Sequence, residues 1–157
     1  MPDTIGFIGA GTMGLPMVKN LLQAKFLVTV FDLNTEAAED AVTAGATPAA
    51  SAQDVATNTE IIVTMLPNTH DVETVLFGEN SICQGLTAGK LLIDMSSVSP
   101  EATVEFAARI NALGCEYLDA PVSGGEVGAI SGKMTIMVGG PEAAFNRAKP
   151  AFDAMGS

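Results

Sequence analysis

Apolar runs rich in Val and Ile alternate with amphipathic stretches along the whole chain, beginning at Thr4-Ile5-Gly6-Phe7-Ile8. Runs that are continuously apolar, rather than alternating with polar residues, suit strands covered on both faces. The pattern predicts strands at Thr4 to Ile8, Leu27 to Asp32, Ile61 to Met65, Leu91 to Met95, Cys115 to Asp119 and Met134 to Val138, with helices in the intervals. Such alternation implies an α/β fold built on a doubly wound, mainly parallel sheet.

The helix boundaries carry their own signals. Ser99, Pro100 and Gly114 supply a cap, a first helical residue and a terminator. A helix beginning near Gly14 tolerates Pro16 in its opening turn, and another runs from about Thr35 to Ala44, where Gly45 can end it. Ser51 can cap a shorter one. Over Pro141 to Met155 the pattern is helical, and Pro150 is expected to kink or divide it. No repeat, low-complexity tract or linker interrupts residues 1–157, which read as one domain.

The first strand runs into Gly9-Ala10-Gly11-Thr12-Met13-Gly14, a glycine-rich turn that opens a helix. In that context Gly9 permits the tight turn, Gly11 lets backbone approach a pyrophosphate, and Gly14 allows the helix to pack close on the strand. The pyrophosphate would rest on the helix amino terminus, where N–H groups and the dipole favour an anion. Asp32 closes the second strand, where a carboxylate can accept both ribose hydroxyls. It would repel a 2′-phosphate, and no Arg follows in Leu33-Asn34-Thr35 to reverse that charge. The expectation is a dinucleotide site preferring NAD(H) to NADP(H).

Composition narrows the partners. Seven Lys and Arg against eighteen Asp and Glu give a net charge of −11, which repels nucleic acid and anionic lipid. No apolar run reaches membrane-span length and no signal-type segment precedes the first strand, so a cytoplasmic location is expected. Cys83 and Cys115 stand far apart, outside any metal or redox spacing, and are expected to remain reduced. His70, the single histidine, reads as a solvated residue at a helix start. Lys133 and Lys149 read as exposed, and the eight methionines as core filler. No metal site is expected.

In open α/β sheets, ligands bind beyond the carboxyl ends of the strands. The loops there are Met65-Leu66-Pro67-Asn68, Asp94-Met95-Ser96-Ser97 and Asp119-Ala120-Pro121-Val122-Ser123-Gly124-Gly125. Ser123 and its two glycines can present a hydroxyl and successive N–H groups to a small carboxylate, although the same spacing also suits an ordinary turn.

Together, Gly6 to Gly14, Met65-Leu66-Pro67, Asp94-Met95-Ser96-Ser97 and Asp119 to Gly125 resemble the β-hydroxyacid dehydrogenases, the 3-hydroxyisobutyrate dehydrogenase family, across the whole chain. The resemblance implies a Rossmann domain of an oxidoreductase that transfers hydride between a nicotinamide cofactor and a small 3-hydroxy acid or semialdehyde. The resemblance at Leu66-Pro67-Asn68, Gly78-Glu79-Asn80, Ile93 to Ser97 and Val122 to Glu126 implies tartronate semialdehyde, reduced to glycerate, ahead of 3-hydroxyisobutyrate. By the same resemblance, Gly9 to Gly14 wrap the pyrophosphate, Asp32 the adenosine ribose, and Leu66 and Pro67 the cofactor from the next loop. Ser96 would lie near the nicotinamide, and Ser123, Gly124 and Gly125 would hold the substrate carboxylate.

The family's catalytic Lys, its final sheet strand and its helical second domain would follow Ser157. The resemblance therefore implies an inactive cofactor-binding half, with a homo-oligomer in the full-length form and a strand edge near Gly156-Ser157 open to association. A non-catalytic NAD-binding module remains an alternative. The loop around Val122 to Glu126 is also similar to that of 6-phosphogluconate dehydrogenase, but no Arg or Lys cluster near it would hold a substrate phosphate.

Overall fold

The computed structural model describes residues 4–157, so the first three residues of the expected domain lie outside the described ones. Six strands form one sheet: β1 (Thr4–Ile8), β2 (Leu27–Phe31), β3 (Thr47–Pro48), β4 (Ile61–Thr64), β5 (Leu91–Asp94) and β6 (Glu116–Asp119). Their order is β3-β2-β1-β4-β5-β6 and every pairing is parallel. The order reverses at β1, which lies between β2 and β4.

Successive strand residues point to opposite faces, and each face is covered. Ile5, Phe7, Val63 and Ile93 pack with Met17 and Leu21 of α1 (Gly14–Gln23), Ala41 of α2 (Thr35–Thr43) and Phe152 of the carboxyl-terminal helix. Ile8, Ile62, Leu92 and Tyr117 pack on the other side. Their partners are Val55 of α3 (Ala52–Asn58), Leu76 of α4 (Thr69–Phe77), Ile82 of α5 (Ile82–Gly85) and Phe106 of α6 (Pro100–Asn111). This is the doubly wound arrangement expected from the apolar runs.

Side-chain caps form where the sequence offers them. Ser51 accepts from the Asp54 N–H and Ser99 from the Ala102 N–H; Asn34 and Asn68 cap α2 and α4 in the same way. Gly45 and Gly114 take positive φ just beyond their helices. β1 has its expected bounds, and β2, β4, β5 and β6 are each one residue shorter than expected, with Asp32, Met65, Met95 and Cys115 just outside them.

Three elements differ from expectation. The run Met134 to Val138 does not join the main sheet. Its strand β8 (Thr135–Ile136) pairs antiparallel with β7 (Val122–Ser123) in a separate ribbon. Only α7 (Gly125–Ser131) and its turns connect the two, whereas a parallel crossover needs a dozen or more residues, so the chain doubles back instead. The sixth strand of the sheet is β3, an edge strand of two residues where Pro48 needs no ladder partner for a missing N–H. Finally, α8 (Glu142–Met155) runs through Pro150 as one helix. Pro150 is exposed, while Ala148, Ala151, Phe152 and Met155 bury the opposite face on both sides of it. That packing outweighs the missing backbone bond.

The chain's last residues extend the ribbon. The Ser157 N–H donates to the Met134 carbonyl at 2.9 Å, and the Ile136 N–H donates to the Ser157 carbonyl at 2.8 Å.

A candidate dinucleotide site at the strand-order switch

The carboxyl ends of β1, β2 and β4 converge on a cleft of about 490 Å³. Its walls are the glycine turn (Gly9, Gly11 to Gly14), Asp32 and Leu33 after β2, Met65-Leu66-Pro67 after β4, and Asp71, Thr74 and Val75 of α4. A crevice at the point where strand order reverses is where α/β sheets hold ligands.

Glycine has different reasons at each position of the turn. Gly9 has φ +104°, and a Cβ there would lie 2.1 Å from the Met65 carbonyl oxygen. A Cβ on Gly14 would lie 1.7 Å from the Gly9 carbonyl oxygen. Both are demanded by the packing of β1, α1 and the β4 loop. Gly11 is not: its backbone has no positive φ and a Cβ there would meet nothing within 4 Å. Its bareness keeps the cleft open at the turn.

Among the described helices longer than four residues, the helix behind the turn is set apart by its start. α2, α3, α4 and α6 carry side-chain caps and an acidic residue in the first turn, whereas α1 has neither. Its first N–H groups and dipole are therefore offered to an outside anion without a competing carboxylate. The unfilled space at Gly11 and this bare helix end fit a pyrophosphate.

Asp32 is half-buried and tied to the turn. Its Oδ2 accepts from the Ala10 N–H at 2.7 Å and its Oδ1 from the Asn34 N–H at 2.8 Å. Each oxygen retains acceptor capacity for a sugar hydroxyl. A second cleft of about 550 Å³ lies on the other flank of the turn, sharing Gly11 and Thr12 and bounded by Lys19, Asn34, Glu126 and Ile130. Ser123, Gly124 and Gly125 line neither cleft, although Gly124 and Gly125 open α7, which supplies Glu126 and Ile130 to the second. Ser123 is exposed on β7.

Ser96 reaches the cleft only through a neighbour. It is fully buried, and its Oγ accepts from the Leu66 N–H at 2.8 Å, fixing the loop whose Leu66 and Pro67 form the cleft wall. Beneath it lies a cluster that the sequence reading did not single out. Asp94, fully buried, accepts at Oδ1 from the Thr64 hydroxyl at 2.9 Å and the Ser96 N–H at 3.0 Å. Its Oδ2 accepts from the Tyr117 hydroxyl at 3.4 Å. The available signal was polarity at the ends of apolar strands: Thr64 and Asp94 each close an otherwise apolar run.

Burial pushes the Asp94 carboxyl above the usual carboxylate range, against hydrogen bonds from Ser96, Thr64 and Tyr117. Asp119, its neighbour on β6, is raised by burial and then by the Asp94 charge. Burial and both carboxylates push the Tyr117 phenol up. A carboxyl whose folded pKa exceeds its unfolded value stabilises most when protonated. That contribution is complete below the unfolded value of about 4 and is lost as pH rises through the folded one. Asp94→Asn removes the titration. Its melting temperature is expected to exceed that of the unaltered chain at pH 7, with the gap closing as pH falls toward about 4. Melts across that range check this; a gap that widens at low pH contradicts it.

The remaining candidates sit apart. His70 is exposed at the start of α4, Lys133 is exposed, and Lys149 pairs with Asp153 at 2.8 Å on the surface. Cys83 and Cys115 are free thiols, both raised by burial. Lys90 was missed: it is 4% exposed, and its ammonium donates to the Ala56 and Thr57 carbonyls at the end of α3. It is a structural cation there, satisfying a helix carboxyl end.

A bare helix amino terminus behind a glycine turn, at the switch point of a parallel sheet, defines a Rossmann dinucleotide-binding domain. The sequence signature of the NAD binding domain of 6-phosphogluconate dehydrogenase matches residues 4–157, and the chain belongs to that family. Its relatives include 2-hydroxy-3-oxopropionate reductase of Escherichia coli, 47% identical over 97% of this chain and 52% of that protein. They also include 3-sulfolactaldehyde reductase of the same organism, 45% identical over 98% and 51%. Among solved structures, Mycobacterium tuberculosis 3-hydroxyisobutyrate dehydrogenase with L-serine superposes with a TM-score of 0.93 at 35% identity, covering 99% of this chain and 53% of that one. The chain thus spans about half the length of these relatives and corresponds to the NAD-binding domain of 3-hydroxyisobutyrate dehydrogenase-family oxidoreductases. Among the described residues no helix is long and apolar enough to cross a membrane.

Proposed function

We propose that this domain binds NAD(H) in preference to NADP(H), as the cofactor half of an oxidoreductase acting on a small 3-hydroxy acid or its semialdehyde. The observation that carries the reading is Gly11, a glycine with open space about its Cβ position at the mouth of an uncapped helix. A pyrophosphate is the ligand that makes sense of both. Gly9, Ala10, Thr12, Met13 and Gly14 complete the turn around it.

The preference for NAD(H) rests on Asp32. Its carboxylate is held beside the turn by Ala10 and Asn34, where it can accept ribose hydroxyls and repel a 2′-phosphate. Leu66 and Pro67 would flank the cofactor, with Ser96 positioning them. Parallel titrations with NADH and NADPH test this: the expected result is tighter NADH binding, and tighter NADPH binding overturns the preference.

Ser123, Gly124 and Gly125 are proposed to hold the substrate carboxylate, with tartronate semialdehyde favoured by the similarity to 2-hydroxy-3-oxopropionate reductase. Hydride addition to a carbonyl builds charge on oxygen that a cationic group must stabilise. Lys133 and Lys149 are exposed and line neither cleft, so neither suits that role. The 157-residue chain is therefore expected to bind NADH yet show negligible turnover with tartronate semialdehyde or 3-hydroxyisobutyrate; robust turnover would be contrary. A cytoplasmic homo-oligomer that avoids nucleic acid completes the reading, in keeping with the net charge of −11.

A further inference from the structure

We propose that Asp94 is a positioning residue for the dinucleotide cleft, acting through Ser96 on the Leu66 wall; this rests on the dinucleotide-binding reading above. The path is short and fully bonded. Thr64 and Tyr117 donate to Asp94 from the strands on either side, Asp94 accepts the Ser96 N–H, and Ser96 Oγ accepts the Leu66 N–H. Leu66 then faces the cleft together with Pro67.

A carboxylate at this place is unfavourable for the fold alone. β5 otherwise reads Leu91-Leu92-Ile93, all fully buried, and an apolar residue would continue it without desolvating a charge. Local rules of this kind are broken chiefly where a site requires it. Asp94 meets one such requirement, because the Ser96 backbone is drawn to Oδ1 and its hydroxyl is thereby set under Leu66. With that anchor gone, the Leu66 N–H has no other acceptor among the described residues; the Met65 N–H still donates to the Ile8 carbonyl, but the loop beyond it can shift away from the cofactor.

The geometry distinguishes the substitutions. Asparagine keeps an oxygen for Thr64 and Ser96 and turns an amide toward the Tyr117 hydroxyl, which can accept from it. Leucine keeps the branching, with larger methyl groups where the oxygens were, and removes every acceptor. Ser96→Ala removes the last link directly.

The test is the NADH dissociation constant of the 157-residue chain and its variants, with melting temperatures in parallel. The expected result is about tenfold weaker binding for Ser96→Ala and for Asp94→Leu, the usual order for a lost buried hydrogen bond, and a change within about threefold for Asp94→Asn. The Asp94→Leu/Ser96→Ala double variant should bind no more weakly than the worse single one, since both cut the same path. Additive losses, or unchanged affinity in Ser96→Ala or Asp94→Leu, overturn the proposal. If Asp94→Leu does not fold, Thr64→Val takes its place. It removes one donor to Oδ1 at constant volume, and its loss should be masked by Ser96→Ala; an unmasked loss or none at all overturns the proposal. Absence of NADH binding by the unaltered chain removes the dinucleotide reading itself and this inference with it. Binding by the unaltered chain with unaffected variants removes the inference alone.

Discussion

Gly14→Ala is expected to unfold the domain, while Gly11→Ala, three residues earlier in the same turn, leaves it folded and unable to hold its cofactor well. The methyl group on Gly14 would meet the Gly9 carbonyl oxygen at 1.7 Å, a backbone contact that no rotamer can relieve. Moving α1 away from β1 would open the core at Met17, Val18 and Leu21, all fully buried. A loss of about 4 kcal/mol or more is expected, comparable with the entire stability of many domains. At Gly11 the methyl meets nothing and the backbone needs no left-handed conformation. Stability should stay within about 0.5 kcal/mol or rise slightly as the unfolded chain loses freedom. NADH affinity should nevertheless fall by about 1–3 kcal/mol, the usual consequence of a methyl pressed into a close contact. Denaturant melts and NADH titrations of both variants check the pair. Stable, tightly binding Gly11→Ala would remove the pyrophosphate from this turn.

The second large effect is expected from Phe106→Ala. Phe106 is fully buried on α6, with its ring centroid 5.5 Å from that of Phe77 at the end of α4. The Arg109 guanidinium lies over the outer face of Phe77, 3.5 Å from its centroid. Truncation removes one ring of this tilted aromatic pair and leaves a cavity beside Phe77, for a loss of about 3–5 kcal/mol. The consequence reaches the cleft because Thr74 and Val75 on α4 form its wall. A weakened NADH affinity should therefore accompany the lowered melting point, and benzene-sized ligands that fill the cavity should recover part of both. A loss below about 1 kcal/mol would mean that α4 and α6 can collapse together.

How much of this was legible in the sequence depends on the range of the interaction concerned. β1, β4 and β5 were readable because each is a largely buried, mostly apolar run, and β2 and β6 because Val28 and Val30, and Tyr117 and Leu118, give short apolar segments between turn signals. The caps at Ser51 and Ser99 were readable because a cap is a contact between residues three apart. β3 was not, since Thr47–Pro48 is too short to show a period and is a strand only because Val30 lies beside it. β8 looked like the other strands, but its pairing was decided by the brevity of α7 rather than by its own residues. Pro150 was misjudged because helix packing on both sides of it is invisible locally.

The site divides in the same way. The roles of Gly9 and Gly14 follow from a turn spacing, and the structure supplies the atoms they avoid. The Ser96–Leu66 and Thr64–Asp94 bonds each join residues thirty apart, so no spacing rule could find them. Ser96 was expected near the nicotinamide, and its buried hydroxyl faces the Leu66 N–H rather than open space.

The bond from the Ala10 N–H to Asp32 ties the proposed ribose acceptor to the shape of the glycine turn. Redirecting a Rossmann domain toward the phosphorylated cofactor begins by replacing the acidic residue after the second strand. Here that replacement would also release a buried N–H in the glycine turn, so Asp32→Ala would loosen the platform meant for the new ligand. Asp32→Ser, with an added Arg at Leu33, offers a replacement acceptor and a phosphate partner together. On the proposed role of Asp32, changing cofactor choice in this chain is expected to need a coordinated set of residues rather than a single replacement.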